Sequence, residues 1–82
     1  MEKHVCEAFA ERLKYLRCMY GLTQEELGKE LGVTRGAIGY YENLERTPKI
    51  TTVIEAARFF NASTDFLLGL TNEHVCRRRV NG

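Results

Sequence analysis

"TQEELGKELGVTRGAIGYYE", residues 23–42, holds two helical patterns and one interruption. The first pattern runs over 24–31, stops at "LGV", and restarts at "TRGAIGYYE". Each piece is too short to be stable as an isolated helix in water, so each must draw its stability from packing. The break itself is written in cap chemistry. Thr23 stands as an N-cap, and Glu26 three residues on completes a capping box; Leu22 and Leu27 have the spacing of a hydrophobic staple. Gly32 ends the first piece in a left-handed conformation. Val33 fills a core position in the turn, and Thr34 caps the second piece.

Helical spacing continues on both sides. A first helix is expected over 6–20, with Cys6, Phe9, Ala10, Leu13, Leu16 and Tyr20 on one stripe at three- and four-residue steps and Gly21 just past its end. The second helix, 24–31, turns Leu27 and Leu31 inward. The third, 35–43, has a narrow apolar face of Ala37, Ile38 and Tyr41; Arg35, Gly36, Gly39 and Tyr40 lie on the other. "LERTPK" reads as a loop. A fourth helix is expected over 50–60, with Ile50, Val53, Ile54, Ala57 and Phe60 inward, broken at Asn61 or Ala62. Ser63 then caps a short fifth helix, "TDFLLGL", with Asp65 well placed for the helix dipole. The remainder, "TNEHVCRRRVNG", has no clear period. Strand signals are poor throughout.

The 82 residues make one domain with a modest core. With 44% hydrophobic and 28% charged residues the composition is that of an ordinary soluble globular chain. A formal net charge of +1 neither demands nor excludes a polyanionic partner, so the distribution of charge matters more than its sum. No apolar run is long enough to span a bilayer and no leader pattern is present. Cys6, Cys18 and Cys76 have no framework spacing, which points to a reduced, cytoplasmic setting.

Two helices joined by a glycine-containing turn of about three residues cross steeply rather than stack antiparallel. Such a crossing leaves one face of the second helix exposed. That helix can enter a DNA major groove while the first braces it across the backbone. The interruption therefore serves to present 35–43, held from behind by Val33, Ile38 and the core.

The stretch "RLKYLRCMYGLTQEELGKELGVTRGAIGYYENLERTPKITTVIEAARFFNASTDFLLG", residues 12–69, resembles the Xre-type helix-turn-helix domain of Cro and the phage repressors. "LTQEEL", "LGV", "IGYYE", Pro48 before the fourth helix, and "STDFLLG" carry the likeness together. The resemblance implies an all-α, compact five-helix bundle of the lambda-repressor-like DNA-binding type, with the helix-turn-helix at the second and third helices. It implies a DNA-contacting set of Thr23, Gln24, Thr34, Arg35, Gly36, Ala37, Gly39, Tyr40, Asn43, Arg46 and Lys49. In this set Gln24 contacts a phosphate and braces the third helix, Arg35, Gly36 and Tyr40 read base edges, and Asn43, Arg46 and Lys49 hold phosphates. It also implies an internal ion pair between Arg17 and Glu42. Plainer roles stay open for several of these residues. Arg35 can be a solvated charge, Tyr40 a packing residue, Gln24 a good helix former, and Arg17 and Glu42 unlinked surface charges.

The chain also departs from the family pattern. Gly28 stands where alanine is usual and Gly39 where serine is frequent, and Gly36 adds a third glycine. Each interior glycine costs roughly 0.5–1 kcal/mol relative to alanine, so the third helix is expected to be mobile when free and to tighten on DNA. Leu44 replaces the usual glycine after "YEN". A left-handed leucine is costly, so Asn43 is expected to take that conformation instead. Lys49 replaces a small N-cap and offers a phosphate-seeking charge.

"HVC" occurs at 4–6 and again at 74–76. Two histidines and two cysteines can make a tetrahedral zinc site, but the spacing is not a zinc pattern and Cys6 has a place on the first helix's stripe. The repeat is read as coincidence; no metal or cofactor is expected, and no enzyme motif is present. The sequence thus describes a DNA-binding transcriptional regulator acting on double-stranded DNA, a repressor working as a homodimer on a palindromic operator, with no membrane association. Residues 1–70 form the DNA-binding domain. Residues 71–82 are a tail, either flexible or part of a dimer interface; the fifth helix and the tail together are the expected interface, with Phe66, Leu67, Leu70 and Val75 as the apolar material. The arginines at 77–79 are a solvated tail or a DNA arm. An antitoxin-like protein-interaction module, using the same domain on a protein partner, is the competing reading, and a zinc-stapled structural domain is a second.

Overall fold

The computed structural model describes residues 3–73. Five helices occur among them: α1 (Lys3–Met19), α2 (Gln24–Leu31), α3 (Arg35–Glu42), α4 (Ile50–Phe60) and α5 (Thr64–Leu67). α1 begins three residues earlier than its apolar stripe, because Lys3, His4 and Val5 continue the helix without needing burial. Phe9, Leu13, Leu16, Leu27, Ile38, Val53 and Leu67 are fully buried. They join all five helices into one core, with Phe9 set edge-on to Tyr41 at 6.2 Å between ring centres.

Start signals act as their chemistry requires. Thr23 accepts from the Glu26 N–H at 3.0 Å while the Glu26 carboxylate accepts from the Thr23 N–H at 2.8 Å. Thr34 accepts from Ala37 N–H and Ser63 from Phe66 N–H. Lys49 gives α4 no side-chain cap.

Stop signals follow one device. Every described helix is succeeded by a residue with positive φ: Gly21, Gly32, Leu44, Asn61 and Gly69. In each case the next N–H turns back to a carbonyl five residues earlier: Leu22 to Arg17, Val33 to Gly28, Glu45 to Tyr40, Ala62 to Ala57, Leu70 to Asp65. The left-handed residue after α3 is thus Leu44 at φ 63°, not Asn43, which has φ −98°. The closing bonds fix the position of the turn, so the residue at that position takes the conformation whatever its side chain. For the same reason α5 stops at Leu67 rather than running through "LGL".

Packing also corrects several expected faces. Ile50 and Ile54 are exposed; Val53, Ala57 and Phe60 face inward as expected, and Thr52 and Ala56 join them. α4 is apolar around much of its circumference, and the small side chains let it sit close to α2 and α5. Tyr20 lies beyond α1 and is half exposed; its hydroxyl donates to the Phe60 carbonyl at 3.1 Å, with the rings edge-on at 4.9 Å. Cys6 is half-buried at the rim, its thiol 3.9 Å from the Thr47 hydroxyl. Phe66 and Leu67, expected as interface material, are consumed by the core, whereas Leu70 is 68% exposed. Val75, His74, Cys76 and the arginines at 77–79 lie outside the described residues. No helix among the described residues is long and apolar enough to cross a membrane.

Candidate nucleic-acid interface

α2 and α3 are joined by Gly32, Val33 and Thr34. The turn packs tightly on α2 because Gly28 has no side chain: a Cβ there would lie 2.7 Å from the Val33 carbonyl oxygen and 3.1 Å from the Thr34 carbonyl carbon. This glycine is a close-approach site, a role its cost to helix propensity conceals.

Behind α3 lies a polar knot. The Glu42 side chain is 3% exposed and Arg17 14%. Arg17 donates through Nε to Oε2 at 2.7 Å and through Nη2 to Oε1 at 3.1 Å, and through Nη1 to the Leu22 carbonyl at 2.8 Å. Gln24 Nε2 donates to Oε1 of the same carboxylate at 3.1 Å. The hydrogen bond to Glu42 is the main cause of a raised Arg17 pKa, against the opposing effect of burial. One carboxylate on α3 thereby gathers donors from α1 and α2. Such bidentate, charge-assisted bonds fix geometry as well as energy. The end of α3 is held relative to both neighbours.

The outward face of α3 is different. Arg35 and Gly36 are exposed on its first turn, and Arg35 makes no hydrogen bond or ion pair among the described residues. Tyr40 is 44% exposed. Arg46, from the following loop, places its guanidinium carbon 4.7 Å from the Tyr40 ring centre. Asn43 and Lys49 are exposed beyond them. Thr23 and Thr34 are exposed at the N-termini of α2 and α3, with their hydroxyls accepting the cap bonds. Gly39 is half-buried beneath the Gln24 amide. Ala37 stands apart from the expected set. It is buried at 6% exposure, and brings no side chain to this face.

A family model described as helix-turn-helix matches residues 13–67. The chain belongs to the helix-turn-helix family. It is similar to an uncharacterized HTH-type transcriptional regulator of Archaeoglobus fulgidus, 36% identical over 64 residues, covering 78% of this chain and 91% of that one. It is similar also to the uncharacterized HTH-type transcriptional regulator YobD of Bacillus subtilis, 32% identical over 65 residues; the alignment takes in 79% of this chain but only 58% of YobD. Among solved structures it resembles the P22 c2 repressor protein in complex with a synthetic operator, with a TM-score of 0.72 and 28% identity, covering 77% of this chain and 96% of that chain.

Within this helix-turn-helix unit, three relationships escaped the sequence. The resemblance implies that Gln24 braces the third helix, but its bond to Glu42 joins residues eighteen apart and no local signal names that partner. The Arg46–Tyr40 stack depends on the left-handed turn falling at Leu44 rather than at Asn43. Arg12 anchors the end of the bundle: it donates to the Phe66 and Thr71 carbonyls at 3.0 and 2.9 Å and to Asn72 Oδ1 at 3.2 Å, and lies 4.2 Å from the Phe66 ring centre. Among the described residues no cluster of three or more histidine, cysteine, aspartate or glutamate side chains is fit to hold a metal.

Proposed function

We propose that the chain is a sequence-specific regulator of transcription that binds double-stranded DNA as a homodimer on a palindromic operator and acts as a repressor, with α3 in the major groove. The observation that carries this reading is Arg35. It is exposed and unpaired on the first turn of a helix whose far end is locked by a buried ion pair. A free guanidinium on a braced helix is suited to grip O6 and N7 of guanine together. Gly36 lets the backbone approach a neighbouring base closely. Thr23, Gln24 and Thr34 on one side, and Asn43, Arg46 and Lys49 on the other, meet phosphates.

One helix reads too few base pairs for useful specificity, so two half-sites about 34–36 Å apart are expected. Residues 1–70 supply the reading unit, and the surface around the exposed Leu70 supplies the contact between subunits. The test is selection of bound DNA from a random pool, with the mass of the complex measured on the selected sequence. A two-fold symmetric site holding two chains is the expected result. A pool that yields no consensus refutes the reading.

A further inference from the structure

The Tyr40–Arg46 stack deepens this reading and rests on it. Tyr40 sits on the last turn of α3 and Arg46 in the loop beyond. The chain returns because Leu44 takes a left-handed conformation and the Glu45 N–H closes on the Tyr40 carbonyl at 2.8 Å. This folds the loop back so that the Arg46 guanidinium lies over the Tyr40 ring, 4.7 Å from its centre. A guanidinium over an aromatic face is attracted by the ring quadrupole. The contact engages the π face of Tyr40 and takes up none of the guanidinium's N–H donors in hydrogen bonds among the described residues. Arg46 makes no hydrogen bond or ion pair among the described residues, and both side chains are exposed.

We infer that Tyr40 is a positioning residue for phosphate binding: its ring holds Arg46 in place, and Arg46 contacts the DNA backbone at the edge of the groove. An exposed arginine on a loop spends rotamer freedom when it binds a phosphate. Arg46 has part of that freedom removed in advance. One face of the Tyr40 ring is occupied by Arg46, and in this reading Tyr40 acts through that neighbour.

The test combines a DNA-free and a DNA-bound readout on the full chain. In the free protein, the Arg46 side-chain protons should show an upfield ring-current shift that disappears in Tyr40→Ala and persists in Tyr40→Phe. Their absence from the wild type overturns the stack. On the selected operator, Tyr40→Ala should weaken binding about two- to fivefold, equally for all single-base variants, and Tyr40→Phe should bind as wild type. Arg46→Ala should reduce the salt dependence by about one phosphate per subunit, and adding Tyr40→Ala to it should change nothing more. A Tyr40→Ala protein that relaxes preference at one base position, a Tyr40→Phe protein that loses as much as Tyr40→Ala, or full additivity of the two alanine changes overturns the inference while leaving the DNA-binding reading intact. A wild type that binds no sequence in the pool overturns both.

Discussion

Arg17 and Glu42 form the one ion pair between described residues that ties separate helices together; His4 with Glu7 and Arg58 with Glu55 lie within a single helix each. Its two partners come from α1 and from the last residue of α3, with contacts of 2.7 and 3.1 Å. The stability consequence follows from burial. Removing only Arg17 strands a carboxylate in the interior, and Arg17→Ala should cost about 3–5 kcal/mol, against ~0–1 kcal/mol for an exposed pair. Arg17→Lys should recover only part of this, because an ammonium cannot span both oxygens as the planar fork does. Urea denaturation reads the difference; an Arg17→Ala midpoint near wild type with unchanged slope would show that the pair contributes little.

The glycines of the helix-turn-helix unit should separate by sign. A Cβ at Gly36 or Gly39 meets only ordinary contacts, at 3.7 Å or more. Gly36→Ala and Gly39→Ala should each raise stability by roughly 0.5–1 kcal/mol through helix propensity. Gly28→Ala gains the same propensity but drives a methyl to 2.7 Å from a backbone carbonyl, and should be destabilising. Thermal midpoints of the three variants decide it: a stabilised Gly28→Ala means that the turn yields freely.

On DNA, Arg35 and Lys49 should fail in different ways. Arg35→Ala should lose about 1–3 kcal/mol at one base position per half-site and relax specificity there. Lys49→Ala should weaken all sequences about equally and lower the salt slope by about one per subunit. Affinities for a panel of single-base operator variants at several salt concentrations distinguish them. Equal weakening of every variant by Arg35→Ala would make Arg35 a phosphate clamp.

Charging the exposed Leu70 should disrupt the proposed dimer. Leu70→Glu should sediment as a monomer and bind the operator more weakly, with its thermal midpoint little changed because the side chain is 68% exposed. A wild type that stays monomeric at high micromolar concentration and still binds one half-site tightly would rule out this interface.

What the sequence made legible was whatever is encoded within a few residues. The capping box at Thr23 and Glu26, the caps Thr34 and Ser63, and the stops at Gly21 and Gly32 placed the helices because each is a local bond between near neighbours. The long stripe of α1 found Phe9, Leu13 and Leu16 by period alone. α4 yielded only in part: the period placed Val53, Ala57 and Phe60 inward, but with apolar residues on most sides only packing against α2 and α5 chose Thr52 and Ala56 over Ile50 and Ile54. Phe66 and Leu67 looked available because a four-residue helix has no period to betray its buried side. At the site, Arg17 and Glu42 were named through the resemblance, yet the convergence of Gln24 on the same carboxylate and of Arg46 on Tyr40 are contacts across turns, and no spacing rule reaches them. Gly28 was read through its propensity when its meaning was steric.

The left-handed stops have a kinetic consequence. Four of the five fall on glycine or asparagine, residues that accept positive φ readily, so those helix ends are biased toward closure before tertiary contacts form. Leu44 resists the same conformation by about 1–2 kcal/mol. The turn after α3, beyond the Arg17–Glu42 pair, must therefore be imposed by the rest of the bundle and is expected to reopen before the other four. Amide hydrogen exchange should report it: the Glu45 N–H should exchange faster than its counterparts at Leu22, Val33 and Leu70, since exchange follows local opening. Leu44→Gly should slow Glu45 toward the others, and an unchanged Glu45 rate would place the weak point elsewhere. The turn that follows the proposed reading helix is then the one expected to open most readily in solution, and an operator that gripped both Arg35 and Arg46 would quiet it.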